Sequence, residues 1–168
     1  PSVSDSLKIF ETINERGIGL NPLDLIKNMI FRQIERERFS QLSAEWKKFT
    51  DILVRGKIKP LRFLRYFIIS NYEVNDSKGQ EILREEETYK WIMKNDPQCQ
   101  YKDRPFDFIR KLQKNAVTYN NFFRGEDAQG KNIFLENIRK LGGESYIMHL
   151  ILLLAVQEMD KPFFNHLA

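Results

Sequence analysis

Apolar residues recur at three- and four-residue intervals along nearly the whole chain, and each such run predicts an amphipathic helix. Leu7, Ile9, Phe10 and Ile13 mark the first, over residues 5–16, with Ser4 as its N-cap. Gly17 stands where a helix end favours a left-handed residue. Asn21 then caps a second helix, Pro22 suits its first position, and Asp24 lies at the positive end of its dipole. Leu25, Ile26, Met29, Ile30 and Ile34 share one face of that helix, so the pair is expected over residues 5–38. Leu42, Trp46, Phe49 and Leu53 are spaced for a third. Pro60 opens a fourth carrying Leu61, Leu64, Phe67 and Ile68. A fifth is expected from Gln80 to Lys94, with Ile82, Leu83, Tyr89 and Met93 as its apolar members. Pro105 starts the sixth, in which Ile109, Leu112, Ala116, Tyr119 and Phe123 hold the period. Ile133, Phe134, Ile138 and Leu141 give a seventh, closed by Gly142 and Gly143. Ser145 caps an apolar eighth that runs through Val156. No stretch alternates as a strand would, so the expected class is all-α: an irregular bundle of about eight helices in one domain spanning 1–168. Residues 71–79, 96–104 and 125–131 are the expected loops.

Composition narrows this picture without changing it. A chain of 168 residues suits a single domain, and folding would bury roughly 70% of the surface its unfolded form exposes. Thirteen phenylalanines predict an aromatic core, and only 8 glycines and 6 prolines disfavour a fold made of many tight turns. The net charge of +4 is compatible with nucleic acid and does not require it. A single cysteine, Cys99, excludes an internal disulfide framework and suits a reducing, cytoplasmic setting. The longest apolar run, YIMHLILLLAV, is well short of the roughly 20 residues that cross a bilayer, so it reads as a buried helix and no membrane is expected. At the end of the chain Asp160 can cap a helix and Pro162 suits an early helical position. That reads as a helix cut in its first turns, as in a piece of a longer protein.

Little in the sequence points to catalysis. Residues 125–132, GEDAQGKN, approach the phosphate-loop spacing. However, Asn132 replaces the hydroxyl that would hold magnesium, Glu126 and Asp127 would repel phosphates, and a helix instead of a strand precedes the stretch. His149 and His166 have no partner at a metal-ligand spacing, Cys99 has no adjacent base, and Arg84 to Glu87 read as a solvated helix face. The expectation is therefore no catalytic residue, no metal site and no cofactor within this segment.

The stretch VRGKIKPLRFLRYFIISNY, in the helical region 52–72, is the more informative one. Arg55, Lys57, Lys59, Arg62 and Arg65 occur with no acidic residue between Asp51 and Glu73, and Phe63 and Tyr66 are interleaved among them. Arg62 and Arg65, three residues apart, share a helical face. Such a cluster suits the phosphates of double-stranded DNA. Surface charge of this kind also occurs as a solvated or internally paired face.

The stretch IFETINERGIGLNPLDLIKNMIF, residues 9–31, resembles the signature of a large prokaryotic family typified by GmrSD-type, modification-dependent restriction enzymes (domain of unknown function 262). The matching positions are Phe10, Ile13, Asn14, Gly17, Leu20, Asp24, Leu25 and Lys27, with Arg16 in the polar turn. FLRYFIISNYEV and YIMHLILLLAV resemble that family's helical region more loosely. The resemblance implies a modular parent: a ParB-like module that handles nucleotide, a helical region opened by this signature, and in many members an HNH nuclease. Neither catalytic motif of the family occurs in this sequence, so no catalytic residue is carried over.

On this basis the expected function is a non-catalytic helical domain of a phage-defence protein. It would contribute DNA contacts, or couple the helices to a nucleotide-handling module through Asn14 and Arg16. The alternative is a helical scaffold that binds another protein and has no nucleic-acid role.

Overall fold

The computed structural model describes residues 22–74, 83–142 and 149–167. The helix expected over 5–16, with Phe10, Asn14, Arg16, Gly17 and Leu20 of the signature, lies outside these. Pro22 begins α1 (Pro22–Phe31), which buries Leu23, Ile26, Met29 and Ile30. It is shorter than expected, because the Gln33 amide folds back to donate to the Met29 carbonyl at 2.9 Å and satisfies the last turn. Ile34 thus packs on the core from outside the helix, and a 3₁₀ turn at Arg36–Arg38 leads into α2 (Phe39–Arg55).

Helix α2 buries Leu42, Trp46, Phe49 and Leu53, the four positions of the sequence pattern. Pro60 opens α3 (Pro60–Asn71), which buries Phe63, Leu64, Tyr66, Phe67 and Ile68. The continuous helix expected from Gln80 to Lys94 is not formed in its described part. Leu83 and Arg84 are non-helical, a 3₁₀ turn covers Glu85–Glu87, and α4 runs only Thr88–Lys94. The interruption has a cause: the Leu83 carbonyl accepts the Arg65 Nε–H at 2.7 Å, and Glu87 turns back to accept the Arg84 N–H at 3.0 Å. The acidic run is a turn and not a helix face. A short helix, α5 (Asp96–Cys99), occupies part of an expected loop.

Helix α6 (Pro105–Arg124) is the centre of the molecule, touching α2, α3, a small hairpin and the next two helices along the chain. Its buried face is Phe108, Ile109, Leu112, Asn115, Ala116, Tyr119 and Phe122, whereas Phe123, expected inside, is 37% exposed. Gly125 ends it at φ 78°, where an added Cβ would also lie 3.0 Å from the Glu136 backbone, so a side chain is excluded twice over. The hairpin pairs β1 (Glu126–Asp127) with β2 (Gly130–Lys131), the one strand pair among the described residues. Helix α7 (Ile133–Gly142) follows directly, then α8 (His149–Ala155) and α9 (Lys161–Leu167). Asp160 caps α9, its Oδ1 accepting the Phe163 N–H at 2.9 Å.

Two features define the interior. Edge-to-face, tilted and stacked aromatic contacts run from Trp46 through Phe49, Phe63 and Phe67 to Phe108 and Tyr101, with Tyr119 beside Phe63. One buried amide joins three elements: Asn115 donates to the Lys111 carbonyl and accepts from Asn71 of α3 and from Gln157 beyond α8. The fold is all-α apart from the hairpin, and no helix among the described residues is long and apolar enough to cross a membrane.

Candidate functional site

The basic stretch falls at the corner where α2 ends and α3 begins, and the corner is built from an unusual helix stop. The Lys57 N–H donates to the Val54 carbonyl at 3.1 Å and the Ile58 N–H to the Leu53 carbonyl at 2.9 Å. These are the paired bonds of a Schellman termination, which needs a left-handed residue between them. That residue is Lys57, at φ 53°, and not the neighbouring glycine. Gly56 keeps an ordinary φ of −77° and serves instead for close approach, since a Cβ there would fall 2.8 Å from Asn120 Oδ1 of α6. A lysine therefore takes the strained position, and its side chain is exposed there.

Five basic residues were expected to act together here, and the structure separates them. Arg55, Lys57 and Lys59 are exposed and pair with no acidic side chain among the described residues. Arg62 and Arg65 turn inward. Arg62 Nε lies 3.3 Å from Glu85 Oε1, and Arg65 holds the Leu83 carbonyl with its guanidinium 5.8 Å from the Tyr66 ring centre. Both act as braces between α3 and the turn before α4. Phe63 and Tyr66 are buried at 0% and 3% exposure, so neither is free to stack on a base. Sequence spacing overlooked Arg124. Asn120 lies against Gly56, and Arg124, one turn further along α6, is exposed on the same side of that helix. Nothing in the linear pattern placed residue 124 on the side of α6 that carries Asn120 toward Gly56.

Helix α3 adds a fixed field to the corner. Pro60 occupies its first position, Lys59 precedes it in extended conformation with no side-chain cap, and its first turn holds no acid. The first amides and the positive end of the dipole therefore face the exposed lysines.

The other sequence candidates resolve differently. The phosphate-loop lookalike is the hairpin, and its polar groups serve the fold. Asn132 Oδ1 accepts the Phe134 N–H at 3.0 Å as the N-cap of α7, while its amide donates to Asp127 and Asn165. Burial acts to raise the Asp127 pKa, but bonds from Asn132 and the Gln129 N–H and the nearby Lys161 outweigh it and hold the carboxyl below its usual value. Cys99 is buried, and burial pushes its thiol up to about 12, so it carries no thiolate at neutral pH. His149 is half-buried, and that burial lowers its pKa. No group of three or more metal-ligating side chains occurs among the described residues. Asp24 of the family signature is exposed in the first turn of α1, Leu25 packs partly on the core, and Lys27 lies 5.5 Å from the Phe31 ring centre.

The seventh expected helix buries the wrong side of its pattern. Leu135 is inside, whereas Ile133, Phe134 and Leu141 are 58%, 43% and 89% exposed. Asn132 fixes where α7 starts, and Gly125 fixes how closely it approaches α6. Together these set the rotation of the helix, which period alone left open. Comparison with known proteins adds no relative: no family model matches the chain, and neither a curated protein nor a solved structure is significantly similar to it.

Proposed function

We propose that this chain is a non-catalytic helical module of a GmrSD-like defence protein that contacts DNA phosphates through the α2–α3 corner. The family resemblance supplies the parent. The observation that carries the DNA reading is Lys57, a strained and exposed lysine flanked by Arg55 and Lys59, none of them held in an ion pair among the described residues. Cations placed beside the uncapped start of α3 suit phosphate oxygens, and they would position a duplex without reading its sequence. Coupling to a nucleotide-handling module of the same parent would fall to Asn14 and Arg16.

The test is duplex DNA binding across a salt series, comparing the wild type with Arg55→Glu, Lys57→Glu and Lys59→Glu combined. Removing one phosphate-binding cation should flatten the log–log salt slope by about 0.9, so the triple variant should lose about 3 in slope. Arg62→Ala and Arg65→Ala should lower stability and leave the slope unchanged. A triple variant with wild-type affinity and slope would remove the DNA reading.

The exposed apolar side of α7 favours a second reading, a scaffold that receives another protein. Such binding would survive high salt and disappear in Leu141→Asp.

A further inference from the structure

A cleft of about 650 Å³ opens between the second half of α6, the hairpin turn and the segment joining α8 to α9. Its size lies within the range of small-molecule sites, roughly 300–1,000 Å³. Phe122 and Phe164 line it with ring centres 5.2 Å apart and planes 34° from parallel, and both are almost fully buried. Val117 and Met159 also line it while remaining 44% and 51% exposed, so apolar surface stands open to solvent in a concave place. The charged lining is already neutralised. Lys114 is paired with Glu158 across one part of the cleft, and Lys161 lies 3.6 Å from Asp127 in another. Neither an anion nor a cation would meet an unpaired opposite charge in this lining. The remaining polar groups are neutral, and among the described residues the Asn121 amide makes no hydrogen bond within the protein. Asn121 therefore offers a donor and an acceptor side by side, beside aromatic rings, in a site with no net charge.

We propose that this cleft binds an uncharged, flat heteroaromatic ring with a lactam or amidine edge, of nucleoside size. The ring face would lie against the exposed Val117 and Met159, above the buried Phe122–Phe164 pair, and the paired donor and acceptor of the edge would meet the Asn121 amide. The proposal rests on the cleft alone and not on the basic corner. It is tested at high salt, where phosphate binding is suppressed.

The experiment is saturation-transfer NMR of the whole chain with inosine, adenosine and their 5′-monophosphates, followed by titration. The nucleosides should show transfer, and the monophosphates should bind no more tightly, because the paired charges of Lys114 with Glu158 and Lys161 with Asp127 offer a phosphate no net attraction. Asn121→Leu, at a half-exposed position, should weaken nucleoside binding at least about fivefold, as expected when a bidentate amide pairing is removed. Met159→Trp should abolish binding by filling the cleft, with an unchanged circular dichroism spectrum showing that the variant is folded. Absence of transfer from both nucleosides at millimolar concentration would overturn the proposal. So would tighter binding of the monophosphates, or binding that survives Met159→Trp.

Discussion

Replacing Lys57 by glycine should make the protein more stable and a poorer ligand for DNA. Lys57 holds φ 53° at the end of α2, a conformation that costs an L-residue about 1–2 kcal/mol. Glycine removes that cost but adds backbone entropy to the unfolded chain, worth about 0.5–1 kcal/mol against folding. The side chain is exposed and makes no ion pair among the described residues, so little else changes. The net expectation is a gain of about 0.5–1 kcal/mol, or a melting temperature higher by about 1–4 °C for a domain of this size. Thermal melts followed by circular dichroism measure the gain, and the same sample titrated with duplex DNA should show a salt slope reduced by about 0.9. Lys57→Asn separates the two effects, since asparagine tolerates the left-handed region and carries no charge. A Lys57→Gly variant that melts below the wild type would refute the reading of the corner as strained.

Four further outcomes follow from the geometry. Asn115→Ala removes three hydrogen bonds of 2.9–3.1 Å from a site 2% exposed and should cost about 2–3 kcal/mol in urea unfolding. A cost below about 0.5 kcal/mol would show that the amide network adds nothing. Gly125→Ala should lower stability by at least about 1–2 kcal/mol, because its positive φ strains any side chain and α7 leaves no room for a Cβ; an unchanged melt would contradict this. Cys99, buried with its thiol raised to about 12, should react with a disulfide reagent only as fast as the protein opens, so rapid labelling of the folded state would be the contrary result. The His149 pKa is lowered by burial, so the unfolded chain binds the proton more tightly. Stability should be full above about pH 6.5, the unfolded value, and decline as pH falls from there toward the folded value. His149→Gln should flatten that decline, and an identical decline in the variant would assign it to other groups.

Period and punctuation made the helices legible, and the limits of each are visible in particular residues. Where an apolar stripe was long enough to define one face, as in α2 and in the proline-started α3 and α6, pattern and structure largely agree, because one face had to be buried and only one rotation buries it. Fine detail failed where side chains rewired the backbone. Gln33 ended α1 early, and Arg65 took the Leu83 carbonyl out of any helix. The basic stretch was visible as composition, but which cations face solvent depended on Glu85, 23 residues from Arg62. Asn115 was passed over as a polar gap in the α6 stripe, although it lies one turn from Leu112 on the same buried face. Arg124 and the cleft beside Asn121 exist only in three dimensions.

Because α6 is clasped by neighbours from both earlier and later in the chain, its middle turns cannot exchange amide protons without releasing several elements at once. Helix α7 has Leu135 buried and three large apolar side chains in water, so it can lift away while that clasp holds. Deuterium uptake should accordingly separate into two classes, with 133–142 filling early and 108–122 last. The protein would then breathe along one edge while its axis stays closed.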